Sequence, residues 1–198
     1  MPGTLEGMTA TDRSPAVGIL LAAGAGTRYG MPKVLAANGE WLTAGVDALH
    51  RGGCDEVLVV LGAAVVAVPA PARAVVATDW ADGMSASLRA GIGAAGAAAG
   101  YAVLHTVDTP DIGADVVARV LAAARSASSG LARAVFAGRP GHPVVIARRH
   151  WPALLAELRG DEGARRFLRA RADLVTVECA DLASGRDIDH PAGVSPSR

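Results

Sequence analysis

The sequence predicts an α/β protein, a three-layer α/β/α sandwich around a mostly parallel, Rossmann-like central sheet. Apolar strand segments alternate with helical segments along the chain, and the strands are apolar throughout, as they are in sheets covered on both faces. Clusters of glycine, serine and acidic residues directly follow a strand or open a helix. Because ligands bind beyond the carboxyl ends of the strands in such sheets, these clusters predict a binding site there.

The first half of the chain contains four predicted strands and two predicted helices. Residues 17–22 are an apolar run that ends in glycines, which is typical of a buried strand leading into a loop. Leu42, Val46 and Leu49 lie at helical spacing, and that helix stops at a pair of glycines. The predicted strands are 17–22, 56–61, 73–77 and 101–107, and the predicted helices are 41–51 and 84–99.

The second half continues the alternation. Two apolar segments flank the turn Gly138-Arg-Pro-Gly141 and predict a pair of strands. The predicted strands are 131–137, 143–147 and 173–177, and the predicted helices are 115–126, 151–158 and 162–171. No repeat or long linker interrupts the pattern. Residues 15–191 are therefore predicted to form one domain, between a flexible leader, 1–14, and a flexible tail, 192–198.

Composition argues against several classes of protein. The 19 basic and 19 acidic residues balance and form no basic run, so no nucleic-acid or membrane partner is predicted. Cys54 and Cys179 lie far apart and in no CxxC motif, which argues against a disulfide framework or a structural zinc site. The sequence shows neither a secretory signal nor an apolar run long enough to span a bilayer. These observations predict a cytoplasmic protein.

The strongest local signal is the glycine-rich string Leu21-Ala-Ala-Gly-Ala-Gly-Thr-Arg-Tyr-Gly-Met-Pro-Lys33. Glycines let backbone N–H groups approach a phosphate chain, and Arg28 and Lys33 can neutralise its charge. We interpret the string as a cradle for the phosphates of a nucleotide. The candidate nucleotide-binding residues in it are Leu21, Ala22, Ala23, Gly24, Ala25, Gly26 and Thr27.

Two common glycine-rich motifs do not fit this string. The Walker spacing GxxxxGK[ST] is absent, because Lys33 follows a proline and precedes Val34. The string from Gly24 to Gly30 is one residue longer than the dinucleotide fingerprint GxGxxG, and no acidic residue closes the second strand to hold a ribose. An ordinary glycine-rich turn with surface cations is the alternative interpretation.

Six segments, in sequence order, carry a resemblance to a known family. Residues 21–33, 80–91, 105–110, 141–144, 160–165 and 187–191 match LAAGxGxRxGxxK, WxxGxxxSLxxG, DxP, GHPV, GDxGAR and DxDxP. The chain resembles the nucleotidyltransferases that attach CMP or GMP to the molybdenum cofactor, a branch of the glycosyltransferase-A-like nucleotidyltransferase superfamily. The match spans about residues 17–191. It implies the nucleotide-diphospho-sugar-transferase-like form of the predicted fold.

The resemblance also implies roles for individual residues. Arg28, Lys33 and Asp108 would be catalytic, and Asp108 would hold Mg²⁺, which is usually bound by one or two carboxylates and by substrate phosphates. Asp189 is preferred to Asp187 as the second metal ligand. The alternatives are a turn-forming aspartate before Thr-Pro at Asp108 and solvated loop acids at the other two positions.

The family resemblance also supports roles for Gly83, Ser87 and His142. Gly83 and Ser87 open a helix whose free N–H groups would contact the nucleotide, although Ser85 acting as a cap is a simpler interpretation of this segment. By resemblance, His142 would lie at the rim of the acceptor pocket, and a role in the local turn explains it nearly as well. His105, inside a strand, is expected to be a wall or core residue.

The resemblance implies Mg²⁺-dependent transfer of a nucleoside monophosphate from an NTP to a phosphorylated small-molecule acceptor, with release of pyrophosphate. The string Ala22-Ala23-Gly24 favours CTP over GTP, and the implied acceptor is molybdopterin, with a molybdoenzyme as a further candidate partner. Two alternatives stay open. Some relatives of the family are assigned as oxidoreductases acting on the pigment nicotine blue, and a noncatalytic nucleotide-binding protein for molybdoenzyme maturation would carry the same motifs.

Overall fold

A seven-stranded sheet lies at the centre of residues 12–190, the part of the chain that the computed structural model describes. Its strands are β1 Ala16–Leu21, β2 Glu56–Leu61, β3 Arg73–Val76, β4 Tyr101–Thr106, β5 Leu131–Phe136, β6 Arg139–Ala147 and β7 Val175–Glu178. The α-helices are α1 Glu40–Arg51, α2 Met84–Ala94, α3 Ala114–Ser126, α4 Trp151–Glu157 and α5 Arg165–Arg169. Short 3-10 segments cover Lys33–Gly39, Trp80–Asp82, Arg148–His150 and Gly160–Glu162.

The strand order is β3-β2-β1-β4-β6-β5-β7, and within this sheet only β6 runs antiparallel to its neighbours. The carboxyl ends of the six parallel strands therefore meet at one edge, together with the beginning of β6. We call this the carboxyl edge. The mostly parallel sheet confirms the predicted fold class.

Two apolar clusters, one on each face of the sheet, form the core. On one face α1 and α3 bury Val46, Leu49 and Leu121 against β1, β2 and β4. On the other face α2, α4 and α5 bury Leu88, Leu154 and other apolar side chains. The helices thus cover both faces, which explains why the strands are apolar throughout. Among residues 12–190 no helix has both the length and the hydropathy of a membrane span.

Three predicted elements differ most from the structure. The helix predicted over 84–99 ends at Ala94, because Ala95 is extended and Gly96, a poor helix former, follows it; the Arg73 guanidinium donates to the Ala94 carbonyl. The helix predicted over 162–171 is the short α5, since Gly163 has a φ of +52° and interrupts it. The strand predicted over 143–147 begins at Arg139, so the tight turn lies earlier than predicted.

The predicted tail, 192–198, and residues 1–11 of the predicted leader lie outside the described residues. The described end of that leader contacts the domain. The Tyr101 hydroxyl donates to Asp12 at 2.8 Å, and the Arg125 guanidinium donates to the Ser14 carbonyl at 3.0 Å. Residues 12–14 are thus hydrogen-bonded to β4 and α3.

Helix α2 packs very closely on β1 through a glycine. A Cβ atom added at Gly91 would lie 2.6 Å from Ile19 Cγ2, whereas one added at Gly93 of the same helix meets nothing within 4 Å. We expect Gly91→Ala to lower the free energy of unfolding by about 1–3 kcal/mol, because an overpacked core strains its neighbours. Gly93→Ala should raise it by about 0.5–1 kcal/mol, because alanine favours a helix. Urea denaturation of both variants checks this, and equal effects would contradict the close packing.

Candidate functional site

A cavity of about 520 Å³ opens at the carboxyl edge, beside the ends of β1 and β4 and the beginning of α2. This is within the size range of small-molecule sites. All the predicted catalytic, nucleotide-binding and metal-ligand residues line it: Leu21, Ala22, Ala23, Gly24, Ala25, Gly26, Thr27, Arg28, Lys33, Gly83, Ser87, Asp108 and Asp189. Residues from four separate segments of the sequence therefore line one cavity.

The glycine-rich loop presents free backbone donors to this cavity. Ala22 N–H donates to the Val60 carbonyl, which holds the start of the loop against β2, and Gly30 N–H closes a turn on the Gly26 carbonyl. Between these two bonds, the N–H groups of residues 24–27 donate to no acceptor within the described residues. Unpaired amides beside two cationic side chains form a suitable cradle for an anion.

Gly24 and Gly26 differ in whether the loop has room for a side chain at that position. Gly26 has a φ of +61°, and an added Cβ would clash with the Met31 carbonyl oxygen; at Gly24 an added Cβ meets no protein atom within 4 Å. We expect Gly26→Ala to destabilise the protein by about 1–3 kcal/mol through backbone strain. Gly24→Ala should leave stability within about 0.5 kcal/mol.

Measurements of nucleotide binding should distinguish a loss of NTP affinity from a loss of stability in these two variants. Gly24 lines the cavity and its added methyl group would meet no protein atom, so we expect Gly24→Ala to weaken NTP binding in a fully stable protein. Thermal unfolding with and without an NTP measures both quantities. Normal NTP affinity in Gly24→Ala would contradict close approach of the phosphates to this backbone.

Four charged side chains meet at the base of the cavity. The Lys33 ammonium lies 2.9 Å from Asp108 Oδ2 and 2.8 Å from Asp189 Oδ1, and the Arg28 guanidinium lies 3.2 Å from Asp189 Oδ2. Asp108 follows β4 by two residues, and Asp189 lies in the extended segment after β7, where Ile188 N–H donates to the Asp108 carbonyl. Lys33 and Asp189, which lie 156 positions apart in the sequence, thus form a direct ion pair.

Each pKa in this cluster reflects the pairing. Burial lowers the pKa of Lys33, but hydrogen bonds to Asp189 and Asp108 outweigh burial and raise it above its ordinary value. The hydrogen bond from Lys33 holds the pKa of Asp189 below its usual range. Burial and the nearby Asp108 raise the pKa of Asp187. Lys33 and Asp189 are therefore charged at neutral pH.

The two carboxylates suit a metal that binds few protein ligands. Asp108 and Asp189 already converge on one cationic group, the Lys33 ammonium, so they can face a single cation. The described residues contain no cluster of three or more His, Cys, Asp or Glu side chains able to hold a metal. Mg²⁺ fits such a donor set, because it keeps several waters and takes further ligands from substrate phosphates.

The beginning of α2 forms the opposite wall of the cavity. Gly83, with a φ of +101°, precedes the helix, and Met84 N–H donates to Asp161 Oδ1 at 3.3 Å. A Cβ at Gly83 would lie 2.5 Å from that carboxylate, so glycine is required for this close approach. The Ser85 hydroxyl is buried without a partner and makes no cap hydrogen bond, so the interpretation of Ser85 as a helix cap is wrong.

The sequence did not single out seven further residues of the wall. They are Tyr29, Trp80, Ala81, Met84, Thr106, Val107 and Asp161. All seven lie in segments that carried the family resemblance, but only Trp80 and Asp161 stand at positions that the motifs WxxGxxxSLxxG and GDxGAR specify, and those positions were the available signal. The other five have ordinary loop, strand or helix surroundings in the sequence and give no local signal of their own.

His142 lies beside the cavity and does not line it. Its half-buried ring belongs to the fourth residue of β6, and Nδ1 lies 3.3 Å from the Leu104 carbonyl. Burial lowers the pKa of His142, so the ring is neutral at pH 7. Because a carbonyl only accepts, Nδ1 carries the proton and Nε2 is left as an acceptor.

His105 is part of the core, as the sequence predicts. Its side chain is 1% exposed, and burial lowers its pKa to about 3. The unfolded chain takes up a proton at His105 near the ordinary pKa of 6.5, whereas the folded chain does not until about pH 3. The unfolded state thus binds more protons across this range, and stability must fall as the pH falls through it.

We expect this histidine to destabilise the protein by about 1.4 kcal/mol at pH 5.5 relative to pH 7.5, because each pH unit below 6.5 changes the unfolding free energy by up to about 1.4 kcal/mol. The lowered pKa of His142 likewise lowers the stability of the protein as the pH falls. His105→Leu should remove its share of the pH dependence. Urea denaturation at the two pH values checks this, and an unchanged pH dependence in the variant would contradict the burial of a neutral ring.

Free loop amides, two cations and two carboxylates at the carboxyl edge define the class of protein as an α/β nucleotide-binding protein. Residues 18–175 match the MobA-like NTP transferase domain. The chain belongs to this family, which confirms the resemblance seen in the sequence, and it is a nucleotidyltransferase that takes an NTP and an acceptor.

The chain is also similar to proteins of known name or structure. Nicotine blue oxidoreductase of Paenarthrobacter nicotinovorans is 38% identical over 193 residues, which cover 90% of this chain and 94% of that protein. The solved structure of an rv0371c homologue from Mycobacterium sp. strain JC1 is 28% identical, with a TM-score of 0.71 and coverage of 90% and 92%. A nucleotidyl transferase from Methanothermobacter thermautotroptrophicus is 23% identical, with a TM-score of 0.68 and coverage of 89% and 92%.

Proposed function

We propose that the protein transfers CMP from CTP to a phosphorylated acceptor, with molybdopterin as the favoured acceptor and Mg²⁺ as cofactor. The observation that carries this proposal is the meeting of Lys33, Asp108 and Asp189 beside the unpaired amides of the glycine-rich loop. The amides and Lys33 suit the triphosphate, and the two carboxylates suit the metal. The first alternative is the same reaction with GTP in place of CTP.

The reaction requires little acid–base chemistry. An ionised phosphate oxygen of the acceptor attacks the α-phosphorus of the NTP, the bond from that phosphorus to the bridging oxygen of the β-phosphate breaks, and pyrophosphate leaves with the bonding electrons. Negative charge shifts toward the leaving pyrophosphate, so fixed donors and cations stabilise the transition state. Residues 24–27 would hold the pyrophosphate part through their N–H groups, and Lys33 and Arg28 would balance its charge.

Asp108 and Asp189 would hold the metal ion. When bound, Mg²⁺ supplies positive charge against the phosphate oxygens. Lys33 is paired with both carboxylates in this structure, and its long, flexible side chain can exchange them for a phosphate oxygen. Without the nucleotide, the two cationic and two anionic side chains therefore balance in charge. When the nucleotide binds, its negative charge would be balanced by the metal ion that binds with it.

The cytidine preference rests on the loop sequence Ala22-Ala23-Gly24 and is directly testable. Isothermal titration with Mg²⁺ should show tighter binding of CTP than of GTP, ATP or UTP. A thermal-shift panel gives a second measure, because an NTP at 100 times its Kd adds about 2.7 kcal/mol to the apparent stability. Equal binding of CTP and GTP would overturn the cytidine preference. Absence of any NTP binding would overturn the proposal as a whole.

Hydride transfer to a pigment of the nicotine-blue type is a second candidate, favoured by the 38% identical relative. The phosphate cradle would suit the pyrophosphate of NAD(P)H as well. However, the strand β2 ends at Leu61 and is followed by Gly62-Ala63-Ala64, with no acid to hold a ribose. NAD(P)H oxidation without pyrophosphate release would favour this candidate. Pyrophosphate release that depends on CTP and acceptor would exclude it as the main activity.

A further inference from the structure

The second carboxylate beside Lys33 lies in a part of the chain without regular secondary structure. After β7, residues 180–182 form a turn, and residues 183–189 belong to no helix or strand. Ordering a free backbone costs about 1–2 kcal/mol per residue, so such a segment keeps its place only through contacts with the rest of the domain. The position of Asp189 therefore depends on what holds the segment 183–189.

One oxygen atom of Asp111 holds the middle of this segment. Asp111 Oδ2 accepts hydrogen bonds from Ser184 N–H at 2.8 Å, from the Ser184 hydroxyl at 2.7 Å and from Gly185 N–H at 3.2 Å. Hydrogen bonds to an ionised carboxylate are roughly twice as strong as those between neutral groups. An added Cβ at Gly185 would overlap the ring of Phe136, so the backbone of the segment also packs closely against β5.

The loop 108–111 that carries this carboxylate is itself fixed to the end of β4. Thr109 is buried, and its hydroxyl donates to the Thr106 carbonyl at 3.1 Å. The same loop contacts the segment a second time, where Ile188 N–H donates to the Asp108 carbonyl at 2.9 Å. Four consecutive residues thus carry the first carboxylate of the charged centre and two attachments of the segment that carries the second.

The attachment at Gly185 restricts where Asp189 can be. Only four residues separate the two, and four extended residues span at most about 14 Å. The second attachment, at the residue immediately before Asp189, narrows this range further. Asp111 does not line the cavity, whereas Asp108 and Asp189 do. Any effect of Asp111 on the site therefore acts through the position of the segment and not through contact with the nucleotide.

We propose that Asp111 is a positioning residue, which fixes the segment 183–189 so that Asp189 stands beside Asp108 before a divalent cation binds. This inference rests on the proposed function, because Asp189 is a metal ligand only there. A ligand held in its bound conformation gives higher affinity, since no ordering cost remains to be met on binding. Without Asp111, the cation has to order the segment itself. Metal affinity then falls, and excess metal restores the same bound site.

The test compares the wild-type full chain with three variants. Asp111→Ala removes the acceptor, and Asp111→Asn keeps an oxygen that can accept the same bonds without the charge. Asp181→Ala is the matched control, because it removes an exposed acid that precedes the segment and pairs with Arg119 at 2.6 Å. Since the sheet needs none of these side chains, thermal unfolding of all three variants should stay close to that of the wild type.

Three measurements separate positioning from a general effect on the fold. Mn²⁺ alone is the probe for the metal site, and EPR spectroscopy measures the free ion during the titration. Hydrogen exchange of the Ile188 amide, followed by NMR without any metal, reports on the bond from this amide to the loop. The third measurement is the dependence of pyrophosphate release on Mg²⁺, with CTP and acceptor present.

We expect Asp111→Ala to weaken Mn²⁺ binding by about tenfold, the lower end of the effect of groups that orient metal ligands. Exchange of the Ile188 amide should become faster by about the same factor, and the Mg²⁺ concentration for half-maximal rate should rise with it. At saturating Mg²⁺, kcat should return close to the wild-type value. Asp111→Asn should show smaller changes in the same direction, and Asp181→Ala should match the wild type in all three measurements.

Three results would overturn the inference. They are wild-type Mn²⁺ affinity in Asp111→Ala, equal weakening in Asp181→Ala, and a loss of kcat that saturating Mg²⁺ does not restore. Failure of the proposed function looks different, because the wild type then binds no Mn²⁺ and releases no pyrophosphate. Even in that case, an unchanged exchange rate of the Ile188 amide in Asp111→Ala would contradict the role of Asp111 in fixing the segment.

Discussion

Replacing Asp108 with asparagine is expected to lower kcat for nucleotidyl transfer by about 100-fold or more, because a metal ion contributes several kcal/mol to the transition state. The change removes one of two carboxylates that converge on the same cation and leaves Asp189 in place. Pyrophosphate release with CTP, acceptor and Mg²⁺ measures the effect. Folding should change little, since Lys33 keeps its bond to Asp189.

A matched variant separates the metal effect from a general loss of charge. Asp115→Asn removes an exposed acid in the first turn of α3, and it should leave kcat within about twofold of the wild type. NTP binding without Mg²⁺ should be similar in Asp108→Asn and in the wild type. Unchanged turnover in Asp108→Asn would remove this residue from catalysis and would favour a noncatalytic nucleotide-binding protein.

Replacing Lys33 with alanine is expected to weaken NTP binding by about 1.5–3 kcal/mol, the contribution of a charged hydrogen bond. The Lys33 side chain is 14% exposed and lies between two carboxylates, so its loss leaves Asp108 and Asp189 to repel each other. Arg28→Ala should weaken NTP binding less, because that side chain is 73% exposed. Isothermal titration of CTP into both variants gives the comparison.

Chemical labelling offers an independent check of the same residue. Lys33 is the only lysine in the sequence, so an amine-reactive reagent has one side-chain target. Its raised pKa predicts slow labelling in the free protein, and a bound NTP with Mg²⁺ should slow it further. Mass spectrometry reads the modified peptide directly. Labelling of Lys33 at the same rate with and without NTP, together with wild-type affinity in Lys33→Ala, would place the triphosphate elsewhere.

Local sequence signals predicted the parts of the molecule that are built from neighbouring residues. Gly24 and Gly26 indicated the anion cradle because both conformation and phosphate approach depend on the absence of a Cβ. The apolar runs predicted the sheet because buried strands exclude polar side chains. The family resemblance brought Asp108 and Asp189 into consideration, and their roles as metal ligands stay predictions.

Other features depend on contacts between distant segments, which no local pattern records. The bond between Lys33 and Asp189 joins opposite ends of the domain, and the position of Asp161 at the beginning of α2 follows from tertiary packing. Asp111 resembles in sequence any aspartate that follows a proline in a turn. Only the structure shows that its carboxylate accepts hydrogen bonds from a segment 73 residues later in the chain. The early end of α2 is a further example, since Ala95 is extended although the alanines around it favour a helix.

Asp189 lies so late in the sequence that the site is completed late during synthesis of the chain. Domains generally begin to fold from the N-terminal side during synthesis. The sheet needs no residue beyond Glu178, whereas the second carboxylate beside Lys33 comes eleven residues later in an extended segment held by Asp108 and Asp111. A nascent chain can therefore contain a nearly complete sheet before it has the residues to complete its charged centre. A chain truncated after residue 186 should fold and still lack that centre.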